Sequence, residues 1–165
     1  MGAMVTDAVL ALGGNLGDRE QTLSDAIADI ADLKGVQLIA ASSLYESVAL
    51  TLAGEDESAP KFLNCVVKIE TKLEPKKLLK KLFEIENSHG RVRLERWGPR
   101  TLDIDIIVFG SELVQTKKLQ IPHPRAHQRG FVLVPWLELD PEAVLPGHGK
   151  VAKLAEKFKS SVREA

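Results

Sequence analysis

Apolar patterns follow one another along the chain in the order strand, helix, strand, strand, helix, strand. That order predicts an α+β fold: a ferredoxin-like split βαβ sandwich, with helices packed on an antiparallel-containing sheet and further elements added at the C-terminal end. Two observations carry the prediction. Apolar residues recur at helical spacing in two stretches, Leu23, Ile27, Ile30 and Leu33 in one and Leu78, Leu79, Leu82, Phe83 and Ile85 in the other. Four other stretches are rich in β-formers, and two of them follow each other with no helix between.

In chain order, Ala8 to Leu12 is a short apolar strand ending at Gly13, Gly14 and Gly17. Asp18 suits the N-cap of the first helix, because its carboxylate can accept from the free amides of the first turn. Gly35 ends that helix. A glycine loop before a helix can cradle phosphate. Gly13-Gly14-Asn15-Leu16-Gly17, however, has neither the G-x-G-x-x-G register nor a following Gly-Lys-Ser/Thr, so a tight turn is the better reading. Val36 to Leu50 predicts a long second strand, Thr51 to Pro60 an exposed polar loop, and Phe62 to Thr71 a third strand. Pro75 fits the first turn of the second helix, which runs to His89 and is closed by Gly90. Leu102 to Phe109 is the fourth strand. Beyond it, Leu119 to Pro124 is extended and held by two prolines, and Arg125 to Leu137 includes a short helix. Asp140 to Gly149 turns irregularly, and Val151 to Val162 is a lysine-rich amphipathic closing helix.

At 165 residues with no linker-like tract, one domain spanning 1–165 is expected, with Met1 to Met4 a cloning remnant. The net charge of -1 speaks against a general nucleic-acid or membrane binder, which would carry a broad basic surplus. No apolar run reaches the length of a membrane span and no signal peptide is evident, so a cytoplasmic protein is expected. Cys65 is the single cysteine, which excludes an intrachain disulfide and fits a reducing compartment. Its apolar strand setting makes a neutral thiol the default, and no Ser-His-Asp pattern offers another nucleophile.

The chemistry concentrates between Arg91 and Gly110. Asp103 and Asp105 alternate with Leu102, Ile104 and Ile106, so both point to one face of a strand, their Cα atoms roughly 6.6 Å apart. One or two hard cations could fill the volume between the carboxylates; solvated acids on a half-exposed strand are the plainer alternative. Arg91, Arg93, Arg96 and Arg100 precede them in a loop that also holds Trp97, Gly98 and Pro99. Arginine takes phosphate oxygens through two parallel hydrogen bonds, so cations for a polyphosphate lie beside acids for a metal. Phe62 and Asn64 share a face of the third strand. A ring beside an amide suits a flat heterocycle, as it also suits ordinary core packing. Glu86, near the end of the second helix, opposes the helix dipole and gains meaning if it faces a ligand. His123 and His127 lack the company a zinc site needs, so phosphate contact or a satisfied imidazole fits better. Together these groups point to transfer between two bound substrates by positioning and charge neutralisation.

The run Arg96-Trp97-Gly98-Pro99-Arg100-Thr101-Leu102-Asp103-Ile104-Asp105 has Gly90-Arg91-Val92-Arg93 before it and Pro122-His123-Pro124-Arg125 after it. It resembles the 6-hydroxymethyl-7,8-dihydropterin pyrophosphokinases of folate biosynthesis, and the likeness extends from Leu10 to about Pro146. The resemblance implies a ferredoxin-like fold and Mg²⁺-dependent transfer of the ATP βγ-pyrophosphoryl group to the pterin hydroxymethyl oxygen, releasing AMP. It implies that Asp103 and Asp105 hold two Mg²⁺ ions, with Arg91 and Arg100 as their catalytic partners at the triphosphate. His123 and Arg129 would join them at the phosphates, and Glu86 would lie near the nucleoside. Phe62 and Phe131 would sandwich the pterin, with Asn64 reading its edge and Asp103 beside it, while Trp97 would belong to a loop closing over both substrates. ATP and the pterin are the implied partners, with no nucleic acid or membrane, and a monomer is expected, with a dimer as the alternative. Three features differ from the family pattern: no Pro-x-Gly follows Tyr45, Arg93 to Arg96 is one residue shorter than in some relatives, and Pro124 replaces a tyrosine found in some.

Two rival readings stand beside this one. Another Mg²⁺-dependent nucleotidyl or phosphoryl transferase could place acids on the same kind of strand, and its products would separate it. A non-catalytic module binding RNA or a small regulator would give no turnover, and its sheet should carry exposed aromatics.

Overall fold

The computed structural model describes residues 5–14, 18–47, 49–51, 54–56, 62–89 and 102–165. Strand β1 (Thr6–Gly14) leads to helix α1 (Arg19–Ala31), whose N-cap is the expected Asp18, accepting from the Gln21 amide at 3.2 Å. The expected second strand, Val36 to Leu50, is broken into β2 (Val36–Ala41) and β3 (Tyr45–Ser47). At the break, the Ser42 amide donates to Val66 O at 2.8 Å and the Ser42 hydroxyl accepts from Val66 N at 2.9 Å. A side-chain oxygen thus serves where a regular strand would use its carbonyl. The expected loop after it carries a small hairpin, β4 (Ala49–Thr51) against β5 (Gly54–Asp56).

Strand β6 (Phe62–Thr71) and helix α2 (Pro75–Ser88) lie where the patterns put them. Phe83 does not join the buried stripe of α2; it is 47 % exposed, whereas Leu78, Leu82, Ile85 and Glu86 are buried. Residues three and four apart share a helical face, so 78, 82, 85 and 86 fall together and 83 falls beside them. Strand β7 (Asp103–Phe109) completes the split βαβ unit. The strands so far form an antiparallel sheet in the order β3-β6-β1-β7, with β2 also on β6.

The C-terminal additions are more extensive than their sequence suggests. A hairpin of β8 (Val114–Gln115) and β9 (Gln120–Ile121) is followed by a 3₁₀ turn, Ala126–Gln128, and by α3 (Gly130–Leu139), longer than the short helix expected. After the pair β10 (Val144–Leu145) and β11 (Gly149–Lys150), the closing helix is shorter than expected. It is α4 (Val151–Ala155), tightening into a 3₁₀ turn, Glu156–Phe158, before β12 (Arg163–Glu164) joins β3. The chain turns back because Val162 is buried and the Ala165 amide donates to Leu44 O at 2.8 Å.

Alternation along β1 divides the core. Ala8, Leu10 and Leu12 face α1 and α2, while Val9 and Ala11 face α3 and α4 on the other side. Each fully buried leucine such as Leu10 contributes about 1.5–3 kcal/mol relative to an exposed one. Among the described residues no helix is long and apolar enough to cross a membrane.

Candidate active site

The sheet face under α3 carries the acid pair. In register, Asn64, Gly13 and Asp103 form one row across β6, β1 and β7, and Val66, Ala11 and Asp105 form the next. Two inter-strand spacings put Asn64 and Asp103 roughly 10 Å apart, with a glycine between them. A Cβ on Gly13 would lie 2.8 Å from Asn64 Oδ1, so the glycine lets that amide lean over β1. The β1–β7 register shifts between Val9 and Leu10, leaving Ile107 as an extra residue. That bulge lets Ile107 and Val108 both pack under α3, directly beyond Asp105.

Asn64 is buried and its Nδ2 donates to Ser47 Oγ at 2.8 Å, with longer approaches to the carbonyls of Tyr45 and Phe62. The hydrogen bonds assign the amide so that Oδ1 points over Gly13 as an acceptor. Phe62 shares this face and stands opposite Ser47. Ser47 was not among the expected site residues, because only the β3–β6 register brings it to Asn64. The same holds for a clamp between β3 and α3, in which Tyr45 Oη donates to Glu138 Oε1 at 2.6 Å and the Ser43 amide to Glu138 Oε2 at 2.9 Å. Burial pushes the Glu138 carboxyl up, but the bonds from Tyr45 and Ser43 outweigh it and hold it below the usual range.

The start of α3 brings Arg129 to the acids and sets Phe131 beside it. Arg129 Nη1 lies 3.7 Å from Asp105 Oδ2, and its guanidinium carbon sits 5.6 Å from the centre of the Phe131 ring. Between them, Gly130 is required by close packing, since a Cβ there would be 2.5 Å from Phe158 Cβ. The C-terminal 3₁₀ turn thereby braces the residues that carry Arg129 and Phe131.

His123 is anchored to β7 by its amide, which donates to Ile107 O at 2.9 Å, and its Nδ1 accepts from the Arg125 amide at 3.1 Å. Burial, then Arg129 and Arg125, pushes its pKa down to about 4. The ring is therefore neutral at pH 7 with its proton on Nε2, a hydrogen-bond donor rather than a cation. Because the folded value lies below the unfolded one of about 6.5, the stability associated with the neutral ring is intact above pH 6.5 and declines toward pH 4. An NMR titration should find His123 neutral down to pH 5; a midpoint near 6.5 would contradict this environment. His127 stacks on His148, ring centroids 3.9 Å apart.

Glu86, expected near a nucleoside, is only 4 % exposed, and its Oε2 accepts from the Ile104 amide at 2.7 Å. Cys65 is buried, and desolvation pushes its thiol up to about 12, in keeping with a neutral side chain and no nucleophile. Arg91, Trp97 and Arg100 lie outside the described residues.

The donor set suits a small hard cation. Asp103 and Asp105 are half-buried oxygen donors on one face, and among the described residues no group of three His, Cys, Asp or Glu converges. Mg²⁺ takes one or two carboxylates and fills its remaining positions with water and substrate phosphates, whereas an all-protein cage would need more ligands.

Residues 9–141 match the family described as 7,8-dihydro-6-hydroxymethylpterin-pyrophosphokinase (HPPK). The chain is 43 % identical over 155 residues to the 2-amino-4-hydroxy-6-hydroxymethyldihydropteridine pyrophosphokinase of Haemophilus influenzae, covering 94 % of each chain. It is 44 % identical over 132 residues to the enzyme of the same name from Bacillus subtilis, covering 80 % of this chain and 77 % of that one. Among solved structures, wild-type Plasmodium falciparum HPPK-DHPS with pteroate superposes with a TM-score of 0.75 over 97 % of this chain; at 16 % identity the likeness shows the fold. The chain spans 43 % of that longer chain. The chain belongs to the 7,8-dihydro-6-hydroxymethylpterin-pyrophosphokinase family of enzymes.

Proposed function

We propose that this chain transfers the βγ-pyrophosphoryl group of ATP to the hydroxymethyl oxygen of 6-hydroxymethyl-7,8-dihydropterin, with Mg²⁺ and release of AMP, as a cytoplasmic step of folate synthesis. The observation that carries the reading is the shared sheet face: Asn64 and Phe62 at one side, Asp103 and Asp105 at the other, with Arg129 paired to Asp105, Phe131 beside Arg129, and the His123 amide on Ile107 O. That spacing gives a flat ring and a polyphosphate adjacent places. Phe62 and Phe131 would hold the pterin faces and Asn64 Oδ1 would accept from an N–H on its edge. Asp103 and Asp105 would hold Mg²⁺, which supplies charge neutralisation across the phosphates when bound. Arg129 and the His123 Nε2–H would donate to phosphate oxygens, Arg91 and Arg100 would add cations there, and Trp97 would help exclude water. Arg129 would exchange part of its pairing with Asp105 for phosphate as the acid turns to metal.

Product identity tests the proposal. With ATP, Mg²⁺ and the hydroxymethyldihydropterin, AMP and the pterin diphosphate should form in equal amounts. ADP, free pyrophosphate or no turnover would overturn it and favour another transferase.

A further inference from the structure

We infer that Glu86 is a positioning residue for the acid pair: it holds β7 by the amide of Ile104, the residue between Asp103 and Asp105, and so sets the separation and aim of the two carboxylates. The inference rests on the proposed reading of that pair as the Mg²⁺ and phosphate site.

Strand β7 is the last in the sheet order and pairs with β1 alone among the described strands. Its other edge needs partners, because an amide buried beside α2 without an acceptor loses its bonds to water and gains none in return. Glu86 supplies one at Ile104 N, 2.7 Å away, and the His123 amide supplies another, at Ile107 O. The two anchors bracket Asp105. Glu86 itself belongs to the buried stripe of α2 with Leu78, Leu82 and Ile85, where an apolar side chain would be the ordinary occupant. Burying a carboxylate is costly unless it is hydrogen-bonded, so its presence there calls for a task only an acceptor of that reach can perform. Side chains that hold metal ligands in place are commonly bonded in this way, and a metal site tolerates only small departures from its geometry.

Glu86→Gln and Glu86→Asp separate reach from charge. Glutamine keeps an acceptor at the same length, whereas aspartate keeps the charge and falls one methylene short. In Glu86→Gln, hydrogen exchange at the Ile104 amide should stay slow by NMR, and the Mg²⁺ half-saturation of AMP formation should stay within about threefold of wild type. In Glu86→Asp, Ile104 should exchange faster and the Mg²⁺ half-saturation should rise about tenfold or more, with the ATP KM at saturating Mg²⁺ nearly unchanged. Three results would overturn the inference: Glu86→Gln more damaging than Glu86→Asp, a raised ATP KM with Ile104 exchange unaltered, or a lowered melting temperature in both with the Mg²⁺ dependence unmoved. A wild-type protein that formed no AMP would defeat the pyrophosphokinase reading instead, and the Ile104 exchange rates would still report on the anchor.

Discussion

Asp105→Ala should lower turnover on the order of 10³-fold while leaving the protein folded. The size follows from what the carboxylate is asked to do. A bound divalent ion contributes several kcal/mol to stabilising charge on a transferring phosphoryl group. At 1.36 kcal/mol per tenfold, losing about 4 kcal/mol costs three decades. Stability should change little, because the Asp105 side chain is 41 % exposed and an ion pair such as the one it makes with Arg129 at 3.7 Å is of the partly solvated kind worth at most about 1 kcal/mol. Asp103 occupies the matching place one row along and should behave likewise. AMP formation measured beside the thermal midpoint checks both variants. Unchanged turnover in either would remove the metal assignment, and a collapse of the midpoint would show a structural role instead.

Phe131→Ala should weaken pterin binding roughly 10- to 100-fold, since stacking of a base on an aromatic side chain is worth about 1–3 kcal/mol. ATP binding should fall far less. Some loss there is expected, because the Phe131 ring also lies 5.6 Å from the Arg129 guanidinium carbon, and a cation–π contact of that exposure supports the arginine by about 0.5–1 kcal/mol. The ratio of the two losses is therefore the quantity to measure, by titrating the variant with the pterin and separately with a Mg²⁺-bound non-hydrolysable ATP analogue. Equal losses would argue that Phe131 only supports Arg129.

Much of this architecture is legible in residue patterns. Helical periodicity locates α1 and α2, and the alternation from Leu102 to Ile106 by itself puts Asp103 and Asp105 on one face. What escapes is what depends on contacts between distant residues. The strand break at Ser42 arises because its hydroxyl can meet Val66, a residue 24 positions away. Ser47 and Glu138 become visible only when β3 lies against β6 and under α3. The exchange of Phe83 for Glu86 on the buried stripe has a cause of the same sort: the pattern favours an aromatic core residue, but the Ile104 amide favours a carboxylate. The bracing of Arg129 and Phe131 by Phe158 likewise depends on Gly130, whose missing side chain carries no pattern of its own.

The most direct measurement is a crystal structure of the protein with the ATP analogue, Mg²⁺ and 6-hydroxymethyl-7,8-dihydropterin. The expected result is a pterin ring against Phe131, one of its N–H groups on Asn64 Oδ1, with its hydroxymethyl group directed along the Gly13 row toward Asp103 and the analogue's phosphates. A pterin bound away from this face, or phosphates that leave Asp103 and Asp105 without metal or ligand, would contradict the proposed site.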